Sequence, residues 1–313
     1  MPFDLVINLR ARQYLRDPKL LGRMRCAADG RCRVQVTRDL DELDRVVAEL
    51  SRRGTDRVLL SGGDGTLMAG VTALWRHFGA DRMPPVAPIP GGTVGTVARN
   101  WGVSGEPARC LRRSLAPGLA AVERPTLRIA SVGEDGTRVE RIGFIFGTGL
   151  VAQFFELYYE RGAPGYSGSA RIVARVFVES FVGGAFSRRV LDPLPCSLTV
   201  DGRLEEPQAW SLVCAAVVPN LGIHMLVNYR AAEDPTRPHL VASPLPAGQL
   251  GPRAPYVLAG RTIGGPGHVD QLAERFAIDF PTVGPYVLDG ELLQARRVEV
   301  SAGPRIRVIS PEC

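Results

Sequence analysis

Strand and helix patterns alternate along the first third of the chain. Short runs rich in Val, Ile and Leu predict buried strands, and the longer segments between them repeat apolar residues every three or four positions, as helices do. The predicted strands cover residues 3–9, 34–37, 57–61 and 84–89, and the predicted helices cover 41–53, 66–78 and 94–101. Alternation at this spacing predicts an α/β domain, in which a parallel sheet carries helices on both faces.

The pattern changes near residue 122. The predicted elements that follow are a hairpin formed by residues 124–132 and 138–146, and two apolar helices at 150–161 and 169–182. Over residues 196–309, short strands are separated by turns rich in Gly, Pro and Asp-Gly pairs, which is typical of a mostly antiparallel β domain. We therefore expect an α/β domain over residues 1–123 and a β-rich domain over 124–313, with the last residues free to pack back on the first domain.

The basic side chains are almost all arginine. Of the 38 Lys and Arg residues, only Lys19 is a lysine. A Walker A loop needs a Lys after its second Gly, and a protein kinase needs a Lys on its third strand, but Lys19 lies in neither context. Both of these ATP-binding schemes are therefore excluded. If the protein binds ATP, it does so through backbone amides, arginine and a metal ion.

Composition and charge argue against several classes of function and binding site. The net charge of +6 is modest for 313 residues and the arginines are scattered, which argues against a nucleic-acid partner and suits weak attraction to anionic lipids. Six Cys without a Cys-x-x-Cys pair and four dispersed His argue against a disulfide framework and a zinc site. The most apolar stretch, residues 142–155, has 14 residues, fewer than the roughly 18–20 that span a bilayer. We expect a cytoplasmic protein.

A glycine-rich turn, Ser61-Gly-Gly-Asp-Gly-Thr66, joins a predicted strand to a predicted helix. Glycines allow backbone N–H groups to approach phosphate oxygens, and the helix N-terminus adds a partial positive charge. A carboxylate next to phosphates needs a cation between them, so Mg²⁺ binding is the expected role of Asp64. The alternative is a tight turn in which Asp64 or Thr66 caps the helix. Since an Asp between glycines makes few packing contacts, its replacement is expected to leave stability nearly unchanged.

A second glycine-rich turn follows the next predicted strand. The segment Pro88-Ile-Pro-Gly-Gly-Thr-Val-Gly-Thr-Val-Ala-Arg99 supplies three glycines and the hydroxyl groups of Thr93 and Thr96. In a parallel sheet, neighbouring strand–helix turns converge at the carboxyl edge, where ligands bind. The two turns together therefore predict a phosphate site more strongly than either turn alone.

A pair of carboxylates flanks one glycine near the end of the chain, in Asp289-Gly-Glu291. Asp-Gly is most simply the turn of a β-hairpin. Asp201-Gly202 is expected to be such a turn. Asp289 differs because Glu291 follows two residues later, so this motif is also a candidate for chemistry that uses two carboxylates.

The three motifs in this order resemble the diacylglycerol kinase catalytic-domain family, which includes bacterial lipid kinases and sphingosine kinases. The resemblance runs from the strand around Asn8 to Asp289-Gly-Glu291, and its first motif is shared with NAD kinases. It implies a nucleotide-binding α/β domain similar to that of NAD kinase, followed by a β-sandwich, with ATP and a lipid meeting between the two. The implied reaction is transfer of the γ-phosphate of ATP to a hydroxyl of diacylglycerol or of a sphingoid- or ceramide-like lipid, during transient peripheral contact with the inner face of the membrane.

The resemblance also assigns roles to residues of this sequence. It implies ATP and Mg²⁺ as cofactors, with Asp64 and Glu291 as metal ligands. It implies Asp289 as the general base and Glu291 as a second catalytic carboxylate, although the first-turn Asp64 remains an alternative base. The residues expected to bind the nucleotide are Gly62, Gly63, Asp64, Gly65, Thr66, Gly92 and Thr93.

Several positions depart from the family pattern. Val94-Gly95-Thr96 stands where the family has Gly-Asn-Asp. Val151 stands where sphingosine kinases have an Asp implicated in contacting the lipid amine, which argues against sphingosine-type recognition. The departures leave two alternatives open: a soluble-substrate kinase similar to NAD kinase, and a nucleotide- or lipid-binding protein with little activity. The sequence specifies no oligomeric state.

Arginines near these motifs are further candidates for the site. Asn8 is followed by Leu9-Arg-Ala-Arg12, where the family has Asn-Pro and a turn of small residues. Arg10, Arg12 and Arg99 are candidate phosphate ligands because the guanidinium fork matches phosphate oxygens. The alternative for each is a solvated surface side chain. The aromatic residues of the two helices after residue 150 have two interpretations as well, an acyl-chain pocket or ordinary core packing.

Overall fold

The computed structural model describes residues 3–92, 95–160, 162, 166–180 and 184–311 of the chain. The chain divides into two compact units. The first contains Met1–Thr126 and Pro304–Cys313, and the second contains Leu127–Gly303. The sequence pattern predicts a division at residue 123, with the last residues free to pack back on the first domain.

The described residues form strands of two to fourteen residues and α-helices of four to fifteen residues. In chain order the strands are β1 (Phe3–Asn8), β2 (Arg33–Thr37), β3 (Arg57–Gly62), β4 (Val86–Pro90), β5 (Val122–Arg124), β6 (Leu127–Val132), β7 (Arg138–Gly143), β8 (Ile145–Gly149), β9 (Leu194–Pro195), β10 (Ser197–Val200), β11 (Arg203–Leu204), β12 (Ala209–Trp210), β13 (Leu212–Ala216), β14 (His239–Ser243), β15 (Val269–Leu272), β16 (Arg275–Leu288), β17 (Glu291–Ala302) and β18 (Ile306–Val308). The helices are α1 (Arg12–Arg16), α2 (Leu20–Ala28), α3 (Leu40–Arg53), α4 (Asp64–Phe78), α5 (Thr96–Asn100), α6 (Pro107–Ser114), α7 (Leu150–Glu160), α8 (Tyr166–Ser180), α9 (Ala185–Leu191), α10 (Ala247–Leu250) and α11 (Ala254–Leu258).

The sheet of the first unit has the strand order β2-β1-β3-β4-β18-β5. Strands β1 to β4 are parallel, and Val6 of β1 lies opposite Leu60 of β3. The C-terminal strand β18 pairs with β4 in parallel, at Val308 and Val86, and with β5 in antiparallel orientation. A strand from the end of the chain therefore completes the sheet that the first third of the chain begins.

Helices cover both faces of this sheet, as the alternating sequence pattern predicts. Leu59 joins a buried cluster with residues of α1, α2 and α6, including Met24 and Leu111. Its neighbour Leu60 points to the other face, because successive strand side chains alternate, and there it lies against Gly70 of α4. Strands buried on both faces read as continuous apolar runs, which is why this part of the sheet was visible in the sequence.

The second unit is built on a large antiparallel sheet. Over the described residues, its main path runs β15-β14-β13-β8-β16-β17-β6-β7, and β10 pairs with β16 and with β11. The long hairpin of β16 and β17 forms its centre, with a register shift between Asp279 and Gly284. Helices α7 to α11 pack in a buried cluster with β13 and β14, in which Leu157, Leu191 and Leu212 take part.

Short helices were the elements that the sequence pattern missed in the first unit. In α2, Leu20 and Met24 have helical spacing, but Gly22 and interspersed arginines weaken the pattern. At α6 the helix-start signal is Pro107 in the first turn, and the Glu106 carboxylate caps the helix by accepting the backbone N–H of Arg109 at 2.7 Å. Among the helices of the described residues, none combines the length and the apolar composition that crossing a membrane requires.

Candidate functional site

The carboxyl ends of β1, β3 and β4 lie side by side in the sheet of the first unit. The chain passes from β1 to β2 on one side of β1 and returns to β3 on the other side, so the strand order reverses between β1 and β3. Ligands of open α/β sheets bind outside the carboxyl ends of the strands at such a reversal. The glycine-rich turns that follow β3 and β4, here called loop A (Gly62–Thr66) and loop B (Gly91–Thr96), are therefore placed where a ligand is expected.

Loops A and B touch through their backbones. The backbone N–H of Gly91 donates to the carbonyl oxygen of Gly62 at 2.8 Å. A Cβ atom on Gly92 would overlap the Cα of Gly63, and one on Gly91 would lie 3.1 Å from the Cα of Gly62. The contact between the loops thus requires glycine at Gly92 and leaves little room for a side chain at Gly91.

This contact predicts that Gly92→Ala destabilises the protein. The added methyl group forces loop B away from Gly63, and overpacking of this kind costs about 1–3 kcal/mol. Gly22 in α2 is the matched control, because a Cβ atom there meets nothing within 4 Å and Ala favours a helix by about 0.5–1 kcal/mol over Gly. Urea unfolding should show a lower midpoint for Gly92→Ala and an equal or higher midpoint for Gly22→Ala. Equal midpoints for the two variants would contradict the loop contact.

The end of β1 and helix α1 bind to both loops. The side-chain amide of Asn8 donates to the hydroxyl oxygen of Thr66 in loop A at 2.9 Å. Gln13 of α1 donates its backbone N–H to the carbonyl of Gly91 at 3.0 Å and its side-chain amide to the carbonyl of Gly92 at 3.2 Å. The three strand ends therefore form one hydrogen-bonded unit.

Asp64 is the link between loop A and loop B. One carboxylate oxygen accepts the backbone N–H of Thr96 at 2.8 Å, and the other accepts that of Val97 at 3.0 Å. The first N–H groups of a helix have no acceptor within the helix, and Asp64 supplies one for two such groups of α5. Asp64 therefore caps a helix that begins 32 residues after it. The sequence offered Asp64 as a cap of its own helix; the structure instead makes it the cap of the helix that follows loop B.

The environment of Asp64 favours its neutral form more than water does. Burial raises the pKa of Asp64 above its ordinary value, although the hydrogen bonds from Val97 and Thr96 and the charge of Arg99 act in the opposite direction. A cation placed at this carboxylate would offset the cost of its burial. A carboxylate has about four lone-pair positions, and the Asp64 carboxylate accepts the backbone N–H groups of Thr96 and Val97 and the hydroxyl group of Thr96.

A small cavity lies beneath the two loops. It is lined by residues of both loops and of the underlying strands, among them Leu60, Asp64 and Ile89. Its volume is about 20 Å³, enough for one water molecule. A phosphate group would therefore bind on the outer surface of the loops.

Most of the residues expected in the nucleotide site meet at this edge of the sheet. Gly63 is the N-cap of α4, and Gly65 and Thr66 lie in the first turn of that helix. Thr93, and with it Val94, lies outside the described residues. Sequence reasoning missed Gln13 and Tyr14, since only the tertiary structure shows that α1 contacts the loops. The Tyr14 hydroxyl is 2.6 Å from the hydroxyl of Ser61, and burial raises the pKa of Tyr14 to about 12.

The three candidate arginines differ in their surroundings. Arg10 and Arg99 are exposed. The Nη1 atom of Arg12, the first residue of α1, is buried and has no hydrogen-bond partner. A buried guanidinium N–H group without an acceptor is costly, so this atom is suited to an anionic ligand. The backbone next to it contacts loop B through Gln13.

In the second unit, Asp289 and Gly290 form the two-residue turn of the hairpin between β16 and β17. Leu288 pairs with Glu291, and the turn residues have φ angles of 49° and 87°. Positive φ at both positions is the type I′ pattern, which favours Asp-Gly. Asp289-Gly290 is therefore the turn of a β-hairpin, the simpler of the two interpretations of this motif.

The Asp289 carboxylate is held by the backbone of the neighbouring strand. It accepts the N–H groups of Phe144 and Ile145, each at 3.0 Å, and the backbone N–H of Asp289 donates to the carbonyl of Ile145 at 2.9 Å. Asp289 is 4% exposed. Its side chain thus fixes the hairpin turn against the start of β8.

The turn at Asp201-Gly202 has the same construction. Its φ angles are 49° and 85°. The Asp201 carboxylate accepts the backbone N–H groups of Glu274 and Arg275, both at 2.9 Å, and its own N–H donates to the carbonyl of Arg275 at 2.9 Å. The two turns differ in that Asp201 is exposed whereas Asp289 is buried.

Helix α7 lies over the Asp289-Gly290 turn. The Tyr159 hydroxyl donates to the carbonyl of Gly290 at 2.6 Å. Burial of the carboxyl group raises the pKa of Glu291, although the residue as a whole is exposed. Burial and the nearby Glu291 charge together raise the pKa of Tyr159 to about 12. Tyr159 and Glu291 are therefore neighbours on the side of the turn that faces α7.

The metal ligands expected from the sequence, Asp64 and Glu291, do not belong to a preformed metal cage. Among the residues that the structure describes, no three His, Cys, Asp or Glu side chains are grouped to hold a metal ion. Mg²⁺ is usually held by one or two carboxylates, with phosphate and water in the other positions. A single half-buried carboxylate, as at Asp64, fits that kind of site.

Comparison with known proteins finds related sequences for the part of the chain that contains loops A and B. Residues 17–123 match the family described as the diacylglycerol kinase catalytic domain. This match confirms the resemblance for the segment that contains both loops. A protein named "Probable lipid kinase YegS-like" from Stenotrophomonas maltophilia is 40% identical over 75 residues, which are 24% of this chain and 24% of that protein. The alignment therefore spans about a quarter of the relative's length.

Solved structures resemble the chain over nearly its whole length. The crystal structure of a diacylglycerol kinase from Bacillus anthracis str. Sterne has a TM-score of 0.63 and 15% identity, and covers 99% of this chain and 96% of that one. A second structure from the same organism has a TM-score of 0.68 at 16% identity, with the same coverage. At this identity the likeness shows the fold alone. It confirms the predicted class, a parallel α/β unit followed by a large antiparallel one.

Proposed function

We propose that the protein is a lipid kinase that transfers the γ-phosphate of ATP to a lipid hydroxyl group, with Mg²⁺ as cofactor. The observation that carries this proposal is the pair of glycine loops at the carboxyl ends of β3 and β4, joined through their backbones and through Asp64. The match of residues 17–123 to the diacylglycerol kinase catalytic domain supports it.

Loops A and B would hold the phosphates of ATP. The residues proposed for this role are Gly62, Gly63, Gly65, Thr66, Gly92 and Thr93. Asp64 would bind Mg²⁺, which when present neutralises the negative charge of the phosphates. Because phosphoryl transfer requires little covalent chemistry from the protein, the loops would act mainly by positioning the phosphates and stabilising their charge.

Asp289 is the proposed general base for the lipid hydroxyl, and Glu291 a second carboxylate that binds metal or positions the substrate. Tyr159 and the other aromatic side chains of α7 adjoin the turn, which supports an apolar substrate there. Diacylglycerol and ceramide-like lipids are the proposed substrate classes.

A phosphate-transfer screen tests the proposed function. The full chain is incubated with Mg²⁺, ATP labelled at the γ-phosphate, and mixed micelles that contain diacylglycerol, a sphingoid base or ceramide, with NAD as the soluble comparison. We expect label in a lipid. Label in NAD alone would favour the NAD-kinase-like alternative. ATP binding without transfer to any of these acceptors would favour a binding protein with little activity.

Arg12 provides a test of the nucleotide site that does not depend on turnover. We expect Arg12→Gln to weaken ATP binding about tenfold or more, the usual effect of losing a hydrogen bond to a charged group. The protein without ATP should be at least as stable as before, because the change removes a buried N–H group that lacks an acceptor. Arg10→Gln is the control, since Arg10 is exposed. Calorimetric titration with ATP measures the affinity of each variant. Equal affinities for Arg12→Gln and Arg10→Gln would exclude Arg12 as a phosphate ligand.

A further inference from the structure

The net positive charge of the chain is gathered on one helical layer of the first unit. Residues 12–28 and 106–114, which include α1, α2 and α6, contain eight Lys or Arg residues and two Asp or Glu residues. Since the chain has 38 basic and 32 acidic residues, the remainder has 30 of each and no net charge. These two segments, here called the basic layer, therefore carry the whole net charge of +6.

The basic layer is continuous because its helices share one apolar cluster. Met24 of α2 and Leu111 of α6 are buried in the cluster that covers one face of the sheet. With their apolar sides inward, the helices turn their polar sides to solvent. The exposed basic residues of the layer include Arg16, Lys19, Arg25, Arg109 and Arg112.

The two acidic residues of the layer, which the net charge of +6 already includes, both lie near one arginine. Asp17 lies 2.8 Å from Arg23, and Glu106 lies 3.8 Å from the same guanidinium group. Both carboxylates therefore face one arginine, while the other basic side chains extend over the rest of the surface. On the opposite face of the sheet, α3 has four acidic residues and three arginines, and α4 has one Asp and one Arg, so these two helices carry no net positive charge.

The basic layer also contains an apolar side chain that is exposed to solvent. Leu15 of α1, next to Arg16, is 67% exposed. Aromatic side chains, on which single-stranded nucleic acids stack their bases, are not exposed here, because Tyr14 is the one aromatic residue of these segments and it is buried. Basic residues around an exposed aliphatic side chain suit the surface of an anionic bilayer, where charge attracts the protein and an apolar group can insert.

We propose that the basic layer is the surface by which the protein docks on an anionic phospholipid bilayer. The inference rests on the proposed function in one respect, namely that a lipid kinase must reach a substrate that resides in a bilayer. Attraction by acidic headgroups extends over about a Debye length, roughly 10 Å at 0.1 M salt, so the layer has to approach the membrane closely. Docking by this surface is therefore salt-dependent and needs α1, α2 and α6 to face the membrane.

Vesicle sedimentation with two charge-matched variants tests this surface. The first variant carries Arg16→Gln, Arg25→Gln, Arg109→Gln and Arg112→Gln. The control carries four substitutions outside the basic layer that lower the net charge equally, Arg52→Gln, Arg82→Gln, Arg203→Gln and Arg296→Gln, all at exposed positions. Vesicles of phosphatidylcholine with and without phosphatidylserine are used at low and high salt. We expect binding that requires phosphatidylserine and falls with salt, and a weakening of at least about tenfold in the first variant alone.

A second pair of variants isolates the apolar contribution. Leu15→Gln should weaken vesicle binding severalfold, whereas Leu40→Gln should not, although Leu40 of α3 is equally exposed at 69%. Circular dichroism confirms that each variant is folded.

Several results would overturn the proposal. The first two are absence of vesicle binding by the unmodified protein, and binding that is equally strong with and without phosphatidylserine. The other two are equal weakening of binding in both charge variants, and binding to double-stranded DNA but not to vesicles. The lipid-kinase proposal is judged separately, by phosphate transfer to lipid in neutral mixed micelles. There the first variant should be as active as the unmodified protein. If phosphate transfer to lipid is absent but vesicle binding behaves as expected, the docking surface is supported and the proposed kinase activity is contradicted.

Discussion

Replacement of Asp64 by Asn is expected to abolish phosphate transfer and to lower stability together. Asn can accept one backbone N–H with its carbonyl oxygen, but its amide group then faces the second N–H, from Thr96 or Val97, with another donor. An unsatisfied buried donor costs about 1–3 kcal/mol. If Asp64 also binds Mg²⁺ at the phosphates, turnover should fall by at least about 100-fold, as losses of charge stabilisation do.

Asp39 provides a control that separates capping from chemistry. Its side chain accepts a single backbone N–H, that of Glu42 at 2.8 Å, at the start of α3. Asn caps helices about as well as Asp, so Asp39→Asn should be nearly neutral for stability and activity. Urea unfolding and single-turnover transfer, measured where both variants are fully folded, give the comparison. A folded Asp64→Asn protein with near-normal turnover would remove Asp64 from the proposed site.

Replacement of Asp289 by Asn is also expected to cause a large loss of turnover. If Asp289 is the general base, Asp289→Asn should lower turnover by about 10²–10⁴, while ATP affinity changes little because the proposed nucleotide loops belong to the other unit. The structure adds a loss of stability that the motif alone did not suggest. An Asn at this turn cannot satisfy both Phe144 and Ile145 as a carboxylate does.

The twin turn at Asp201 is the matched control for this experiment. Asp201→Asn disturbs the same arrangement, with two backbone N–H groups on one carboxylate, but in a motif without a second carboxylate. Both variants should lose stability, and only Asp289→Asn should lose turnover. If both retain turnover, Asp289 serves the hairpin and the base must be sought elsewhere, with Asp64 as the remaining candidate.

The sequence was most informative where the signal is local. Continuous apolar runs revealed β1, β3 and β4, since strands buried on both faces need apolar side chains in sequence. Glycine motifs at the ends of β3 and β4 could be found because close contact between two backbones excludes any Cβ atom, as at Gly92. Short helices such as α2 were missed because tertiary packing, more than local propensity, stabilises them.

Contacts between distant residues had no local signal. Asp64 caps a helix 32 residues away, and Asp289 binds backbone groups 145 and 144 residues before it. Neither contact changes the sequence around the carboxylate, so the sequence cannot distinguish a carboxylate that binds distant backbone groups from one that takes part in chemistry. The buried Nη1 of Arg12 likewise cannot be distinguished from the exposed Arg10 by sequence.

By itself, the sequence determined the two-part architecture, the glycine loops at the strand ends and the exclusion of lysine-dependent ATP sites, because each depends on residue type and near neighbours. It determined the amount of charge, +6, but showed it as arginines scattered along the chain. Only the tertiary structure decided where that charge lies. Segments almost 80 residues apart, 12–28 and 106–114, become one surface because α2 and α6 bury their apolar sides in the same cluster over the sheet, which turns their arginines outward together.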